Sequence, residues 1–213
     1  MRLDGGHPAL ELVNTIYAPA ALNSIDYDVL VTPADLSVFA SRVGLAPAGA
    51  RSSAGALSAA RALRSALDPI FRALAAGVDP PRDALEELER STRRALTAAT
   101  LAPATKDSEH FGGGQAPRAV AAGAQVAASS GRFVAWSWPD DDPMAPVHRL
   151  ALAAVDLLAD AGELARLHRC DACCWLFLDH SRGRGRRWCS MADCGGEAKK
   201  RRYVEKRRAR RTG

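Results

Sequence analysis

The segment CDACCWLFLD at positions 170–179 and the segment CSMADC at positions 189–194 contain all five cysteines of the 213-residue chain. Four of them have the spacing Cys170-x2-Cys173-x15-Cys189-x4-Cys194. Two close pairs, separated by a loop long enough to fold back, are typical of a tetrahedral site with four thiolate ligands. The spacing therefore predicts that these four cysteines bind one Zn2+ ion.

Five thiols compete for four ligand positions, and Cys174 is the one that we expect to stay outside the site. The pair Cys170 and Cys173 has the usual two-residue spacing of a zinc knuckle, but a pair of Cys170 and Cys174 also fits the allowed spacings. His168 and His180 are nearby alternative ligands. A redox Cys-x-x-Cys motif is a further alternative, although it leaves the second cysteine pair without a role.

The residues around the cysteines predict a small treble-clef-like fold. Residues 175–179 are predicted to form a strand, residues 181–185 a turn and residues 186–188 the partner strand. A basic helix is predicted at 195–211, directly after the last cysteine. A segment this short cannot bury a large core, and a structural metal would offset that deficit.

Positive charge is concentrated in the same part of the chain. Positions 164–213 hold 15 Lys and Arg against 5 Asp and Glu, whereas positions 1–163 hold 14 against 19. A basic arm on an acidic body is typical of proteins that bind nucleic acid. Because basic residues surround the predicted helix, we expect contact with phosphates rather than reading of bases. For residues 207–213 a solvated tail is the alternative. The candidate nucleic-acid-binding residues are Arg182, Arg184, Arg186, Arg187, Lys199, Lys200, Arg201, Arg202 and Lys206.

The upstream region has the pattern of a mainly helical domain. Thr32 and Pro33 supply an N-cap and a first-turn proline, and Gly44 is placed to end that helix. Pro69 lies inside an apolar helical pattern and predicts a kink or break near residues 65–68. Helices are predicted at 32–44, at 57–76, from Asp79 onward and at 150–167.

Strands are predicted at three places in this region. The segment 10–16 alternates apolar and polar residues and favours a strand or a short irregular core segment, although Pro8 favours a helix start. Segments 118–127 and 132–138 are predicted to pair, and residues 102–114 to form a mobile loop. The predicted fold class is therefore α+β: a mainly helical N-terminal domain with a small β-hairpin or sheet, followed by a C-terminal treble-clef-like zinc finger.

Composition and the lack of other motifs argue against several classes of protein. Apolar residues make up 47% of the chain and charged residues 25%, as in ordinary globular proteins, and no long uncharged apolar run predicts a membrane span. The first residues lack the apolar core of a signal peptide, so we expect a cytoplasmic location with reduced thiols. No phosphate-binding glycine loop or nucleophile motif occurs, so we predict neither enzymatic activity nor catalytic residues.

The motifs also resemble a known family. After the Cys-x2-Cys pair, the residues Phe177, Asp179, Ser181, RRWCSM at 186–191 and Cys194-Gly195 resemble the bacterial CGNR-type zinc finger. Upstream, the residues Gly6, Leu10, Asn14, Thr15, Pro33, Asp35 and Leu36 resemble the ABATE domain that usually precedes it. The resemblance covers nearly the whole chain and implies a bacterial transcription regulator that binds DNA through the finger.

One position departs from the family pattern. The family's Cys-Gly-Asn-Arg is Cys194-Gly195-Gly196-Glu197 in this chain. Glu197 suits a helix N-terminus electrostatically. If the family Arg contacts phosphate, the acid at this position reverses that contact.

Together these observations predict a zinc-binding transcription regulator with domains at 1–163 and 164–213. The first would sense a small-molecule effector or partner, and the second would bind duplex DNA. The helix predicted at 150–167 would join the two directly and let the first reorient the second. The alternative is a finger that serves protein–protein interaction or RNA binding, with DNA binding weakened by Gly196 and Glu197.

Overall fold

The computed structural model describes residues 2–17, 27–103, 134–139, 141–182 and 185–212. Its helices are α1 (Pro8–Asn14), α2 (Pro33–Arg42), α3 (Ala54–Ala75), α4 (Arg82–Thr97), α5 (Ala145–Ala159), α6 (Ala161–Leu164) and α7 (Gly196–Thr212). Its strands are β1 (Thr100–Pro103), β2 (Val134–Ser137), β3 (Leu167–Arg169) and β4 (Leu176–Leu178). The predicted α+β class, mainly helical in its N-terminal part and followed by a C-terminal group of four cysteines, is confirmed.

The N-terminal core is built around α3, which packs against α1, α2, α4 and α5. The side chains of Leu63, Leu67 and Ile70 are fully buried, and their spacing of four and three residues places them on one helix face. The Ser53 side chain accepts a hydrogen bond from the Ala56 backbone N–H and caps the helix start. Within the described residues, no helix is long and apolar enough to cross a membrane.

In this domain the strand predicted at 10–16 is absent, and the break predicted as one outcome at Pro69 does not occur. Residues 10–16 do not form a strand: they fall largely within α1, where Pro8 occupies the first turn and the His7 side chain accepts a hydrogen bond from Ala9 N–H. Six of the seven residues of α1 are buried, so the apolar pattern carries no clear period. Pro69 does not break α3, which continues to Ala75, because burial of both flanking turns outweighs one missing backbone hydrogen bond.

The predicted helix at 150–167 is also divided. Helix α5 ends at Ala159, and the Asp160 side chain then accepts hydrogen bonds from the N–H groups of Gly162 and Glu163, which starts the short α6. Residues from Leu167 onward belong to β3. The link to the cysteines is therefore a capped turn and a strand, and the direct helical join was wrong.

The first sheet pairs β1 with β2 in antiparallel register, with Leu101 opposite Trp136. The strand predicted at 132–138 is present at Val134–Ser137. Its partner, β1, includes residues 102–103, which had been predicted to belong to a loop; the rest of that loop and the strand predicted at 118–127 lie outside the described residues.

The second sheet pairs β3 with β4, with His168 opposite Phe177. The partner of β4 is therefore the strand before the cysteines, and residues 186–188 are not a strand as predicted. Side chains alternate along β4: Leu176 and Leu178 belong to the N-terminal core, whereas Phe177 packs with the cysteines. One three-residue strand thus contributes to both apolar clusters and fixes the position of the cysteine site against the N-terminal domain.

Candidate metal centre and basic helix

The four cysteines predicted as ligands lie together in the structure. The sulfur atoms of Cys170, Cys173, Cys189 and Cys194 are all within 4.8 Å of one another. Cys173 Sγ lies 3.7 Å from Cys189 Sγ, which lies 3.6 Å from Cys194 Sγ. Cys170, Cys189 and Cys194 are buried, and Cys173 is partly buried. This compact group of thiols has the size and shielding of a metal site.

Short-range backbone contacts place these sulfurs. Cys170 directly follows β3, and its N–H donates to the Trp175 carbonyl at 2.9 Å, which closes the knuckle. Cys194 lies in a π-helical turn, Met191–Gly195, that leads into α7. The Ser190 side chain accepts a hydrogen bond from Asp193 N–H and caps that turn. The last thiol and the basic helix are therefore held by one continuous element.

Three of the clustered thiols, those of Cys170, Cys173 and Cys189, influence one another's ionisation. Hydrogen bonds from Cys173 and Cys189 hold the pKa of Cys170 far below its usual range. The contact with Cys170 raises the pKa of Cys173 to about 12, and it also raises the pKa of Cys189. A divalent cation bound by the cluster would stabilise the thiolate form of its ligands.

The alternative ligands lie outside the cluster. The Cys174 carbonyl accepts a hydrogen bond from Arg72 Nη2 at 2.9 Å, and its sulfur lies 3.9 Å from Arg169 Nη2. His168 packs beside the ring of Phe177, and His180 Nε2 lies 2.8 Å from Glu163 Oε2. The structure therefore brings together the four sulfurs of the predicted set and neither histidine.

Contacts between α1 and β4 attach the cysteine site to the N-terminal domain. The Asn14 side chain donates to the Leu176 carbonyl and accepts from the Leu176 N–H, both at 2.9 Å, as a neighbouring strand would. Trp175 Nε1 donates to the Tyr17 carbonyl at 2.6 Å, and Leu178 N–H donates to the Gly5 carbonyl at 3.0 Å. Sequence reasoning missed this attachment, because its partners are up to 173 residues apart, as for Gly5 and Leu178.

The buried acid Glu11 supports the backbone turn at Gly5 and Gly6. Glu11 Oε1 accepts hydrogen bonds from the N–H groups of Gly5 at 2.7 Å and Gly6 at 3.1 Å. Among the described residues, Glu11 Oε2 has no hydrogen-bond partner. Burial raises the pKa of Glu11 to about 7, and burial lowers the pKa of His7 to about 4. Each group is therefore biased toward its neutral form.

The basic residues predicted to contact nucleic acid fall into two groups. In the loop before Cys189, Arg186 lies over the Phe177 ring and Arg187 Nε pairs with Asp171 at 2.8 Å, so both have partners within the fold. Arg182 is exposed, and Arg184 is outside the described residues. The predicted residues on α7, which are Lys199, Lys200, Arg201, Arg202 and Lys206, are all exposed. The exposed helix therefore offers more free cations than the loop does.

The fold and the site define a zinc finger protein with a helical N-terminal domain. The chain belongs to the ABATE family, described as a "putative stress-induced transcription regulator", whose model matches residues 6–161. Residues 166–208 match the CGNR zinc finger. Both matches are of regulator and zinc finger types rather than enzyme families. No curated protein matches the chain.

Proposed function

We propose that this protein is a zinc-dependent transcription regulator that binds duplex DNA through the segment 164–213. The observation that carries the proposal is a four-thiol cluster joined, through a single capped turn, to a 17-residue basic helix whose side chains are exposed from Lys199 to Arg210. The division into domains at 1–163 and 164–213 belongs to the proposal and agrees with the family matches at 6–161 and 166–208. The order of knuckle, cysteine pair and helix supports a treble-clef-like organisation.

Zn2+ is the metal that we assign to Cys170, Cys173, Cys189 and Cys194. Four thiolates at about 2.3 Å from a central ion form a tetrahedron whose edges are about 3.8 Å. The Cys173–Cys189 and Cys189–Cys194 sulfur–sulfur distances, 3.7 and 3.6 Å, are close to that edge. A shell of four cysteines has no open position, so the metal would have a structural role rather than a catalytic one.

DNA is the partner that we assign to α7 and the adjoining loop. Between Lys199 and Arg210 every side chain of α7 is exposed, and most are Lys or Arg. Phosphate contacts of this type need many free cationic donors and carry little sequence information. We propose that the N-terminal domain senses an effector or partner and holds the finger in position through the Asn14 contacts.

The test measures the binding of labelled duplex DNA by fluorescence anisotropy at several salt concentrations. With zinc bound, the logarithm of the association constant should fall with the logarithm of salt concentration by about 0.9 per phosphate neutralised. Chelation should abolish binding because α7 loses its anchored start. No binding at low salt, or a slope near zero, would overturn DNA binding and favour a protein-interaction finger. Tighter binding to structured RNA than to duplex DNA would favour the RNA alternative.

A further inference from the structure

Beyond its first turn, helix α7 buries no side chain against the part of the protein that the structure describes. All of its side chains from Lys199 to Arg210 are exposed, including Tyr203 at 63% and Val204 at 45%. Most helices in proteins are stabilised by packing of an apolar face. Because this helix lacks such a face beyond its first turn, the arrangement of its own charges decides what it can bind.

The charges on α7 are not evenly distributed around the helix. At about 100° per residue, Lys199, Arg202, Lys206 and Arg210 fall within an arc of about 100° that also contains Tyr203. Both acids of the helix, Glu197 and Glu205, lie well outside this arc. We call the set of Lys199, Arg202, Tyr203, Lys206 and Arg210 the basic stripe. Further basic residues lie on the other faces of the helix, as expected from the sequence.

The cations of the basic stripe have no acidic partner in the part of the chain that the structure describes. In contrast, Lys200 Nζ, on another side of the helix, pairs with Glu197 Oε1 at 2.7 Å. Consecutive cations of the stripe are three or four residues apart, a spacing at which like charges destabilise a helix. An anionic partner laid along the stripe would remove that repulsion.

We infer that the basic stripe is the face of α7 that contacts the phosphate backbone of duplex nucleic acid, an inference that rests on the proposed function. From Lys199 to Arg210 the stripe extends about 16 Å along the helix axis, more than the width of a major groove, which is about 12 Å. It can therefore reach phosphates on both sides of a groove. The cations on other faces contribute charge to the field without direct contact.

Two double variants test this inference with matched charge. Lys199→Gln with Arg202→Gln removes two charges from the stripe, and Arg207→Gln with Arg208→Gln removes two charges from other faces of the helix. The stripe variant should reduce the slope of log K against log salt by about 1.8, since two phosphate contacts are lost. The control variant should keep the slope of the wild type. Both should retain the wild-type thermal transition, because these side chains are exposed.

The outcomes separate this inference from the proposed function. Equal losses of slope in both variants would show that the helix acts through diffuse charge, and would overturn the inference while leaving DNA binding intact. A larger loss in the control variant would place the contact on another face. If the wild type shows no salt-dependent binding to duplex DNA, the proposed function fails and the inference fails with it.

Discussion

Replacing Glu11 with Gln should stabilise the protein at neutral and alkaline pH but not in acid. The Glu11 carboxyl is buried beneath the Gly5–Gly6 turn, and its pKa rises from 4.5 to about 7. The folded protein therefore binds one more proton than the unfolded chain between these values. The contribution of Glu11 to the unfolding free energy is therefore fully present below pH 4.5 and is lost as pH rises through about 7.

The magnitude follows from the size of the pKa shift. Each pKa unit corresponds to about 1.4 kcal/mol. Ionisation of Glu11 above pH 7.5 therefore lowers the unfolding free energy of the protein by about 3 kcal/mol. Glutamine keeps an oxygen acceptor for the Gly5 and Gly6 N–H groups and carries no charge. The variant should therefore gain up to about 3 kcal/mol over the wild type at pH 8, and almost nothing at pH 4.5.

The assay is urea unfolding at several pH values between 4.5 and 8, with tryptophan fluorescence as the readout. The quantity to compare is the difference between variant and wild type, since effects of pH on the metal ligands then cancel. Glu205→Gln, which removes the same charge from an exposed position, is the control for net charge. A difference that does not change with pH, or a Glu11→Gln variant less stable than the wild type at pH 8, would refute the reasoning.

The other predictions concern His7, the metal and the contacts of the finger. The pKa of His7 is lowered from 6.5 to about 4, so its contribution to stability should be lost as pH falls through about 4, and Glu11→Gln should expose this dependence in urea unfolding. Elemental analysis should find about one zinc per chain. Cys194→Ser should release the zinc, whereas Cys174→Ser should not. Asn14→Ala leaves a buried backbone donor and acceptor unpaired and should lower the unfolding free energy by about 2–4 kcal/mol. Glu197→Gln should strengthen DNA binding several-fold in anisotropy titrations, because an acid at the start of α7 is removed.

The cysteine cluster could be predicted because its information is local. A two-residue and a four-residue spacing determine which thiols can meet, and both pairs lie within 25 residues of each other. The start of α2 was equally local, since Thr32 and Asp35 form a capping box whose two partners are three residues apart. In both of these cases the signal acts over a short stretch of the chain, and the prediction agrees with the structure.

The strand pairing and the attachment of the finger could not be predicted in this way. Strands β3 and β4 are three residues long, too short to show a period or a register. The roles of Glu11 and Asn14 depend on a backbone turn and a strand that local reasoning does not bring near them. An alternating apolar pattern in 10–16 was outweighed by Pro8 and by burial on all sides, which hides the periodicity of a helix.

The short strand β4 changes how the two parts of the protein can influence each other. A continuous helix up to Cys170 would transmit a movement of the N-terminal domain directly to the cysteine site. The structure has a turn capped by Asp160 and the strand β3 in its place. Leu176 and Leu178 face the N-terminal core while Phe177 faces the cysteines, so a shift of β4 must disturb both clusters. The Asn14 side chain holds this strand from the N-terminal side. Any signal received by the N-terminal domain would therefore reach the basic stripe through the position of β4 and the capped turn at Cys194, and would depend on the metal that keeps that turn in place.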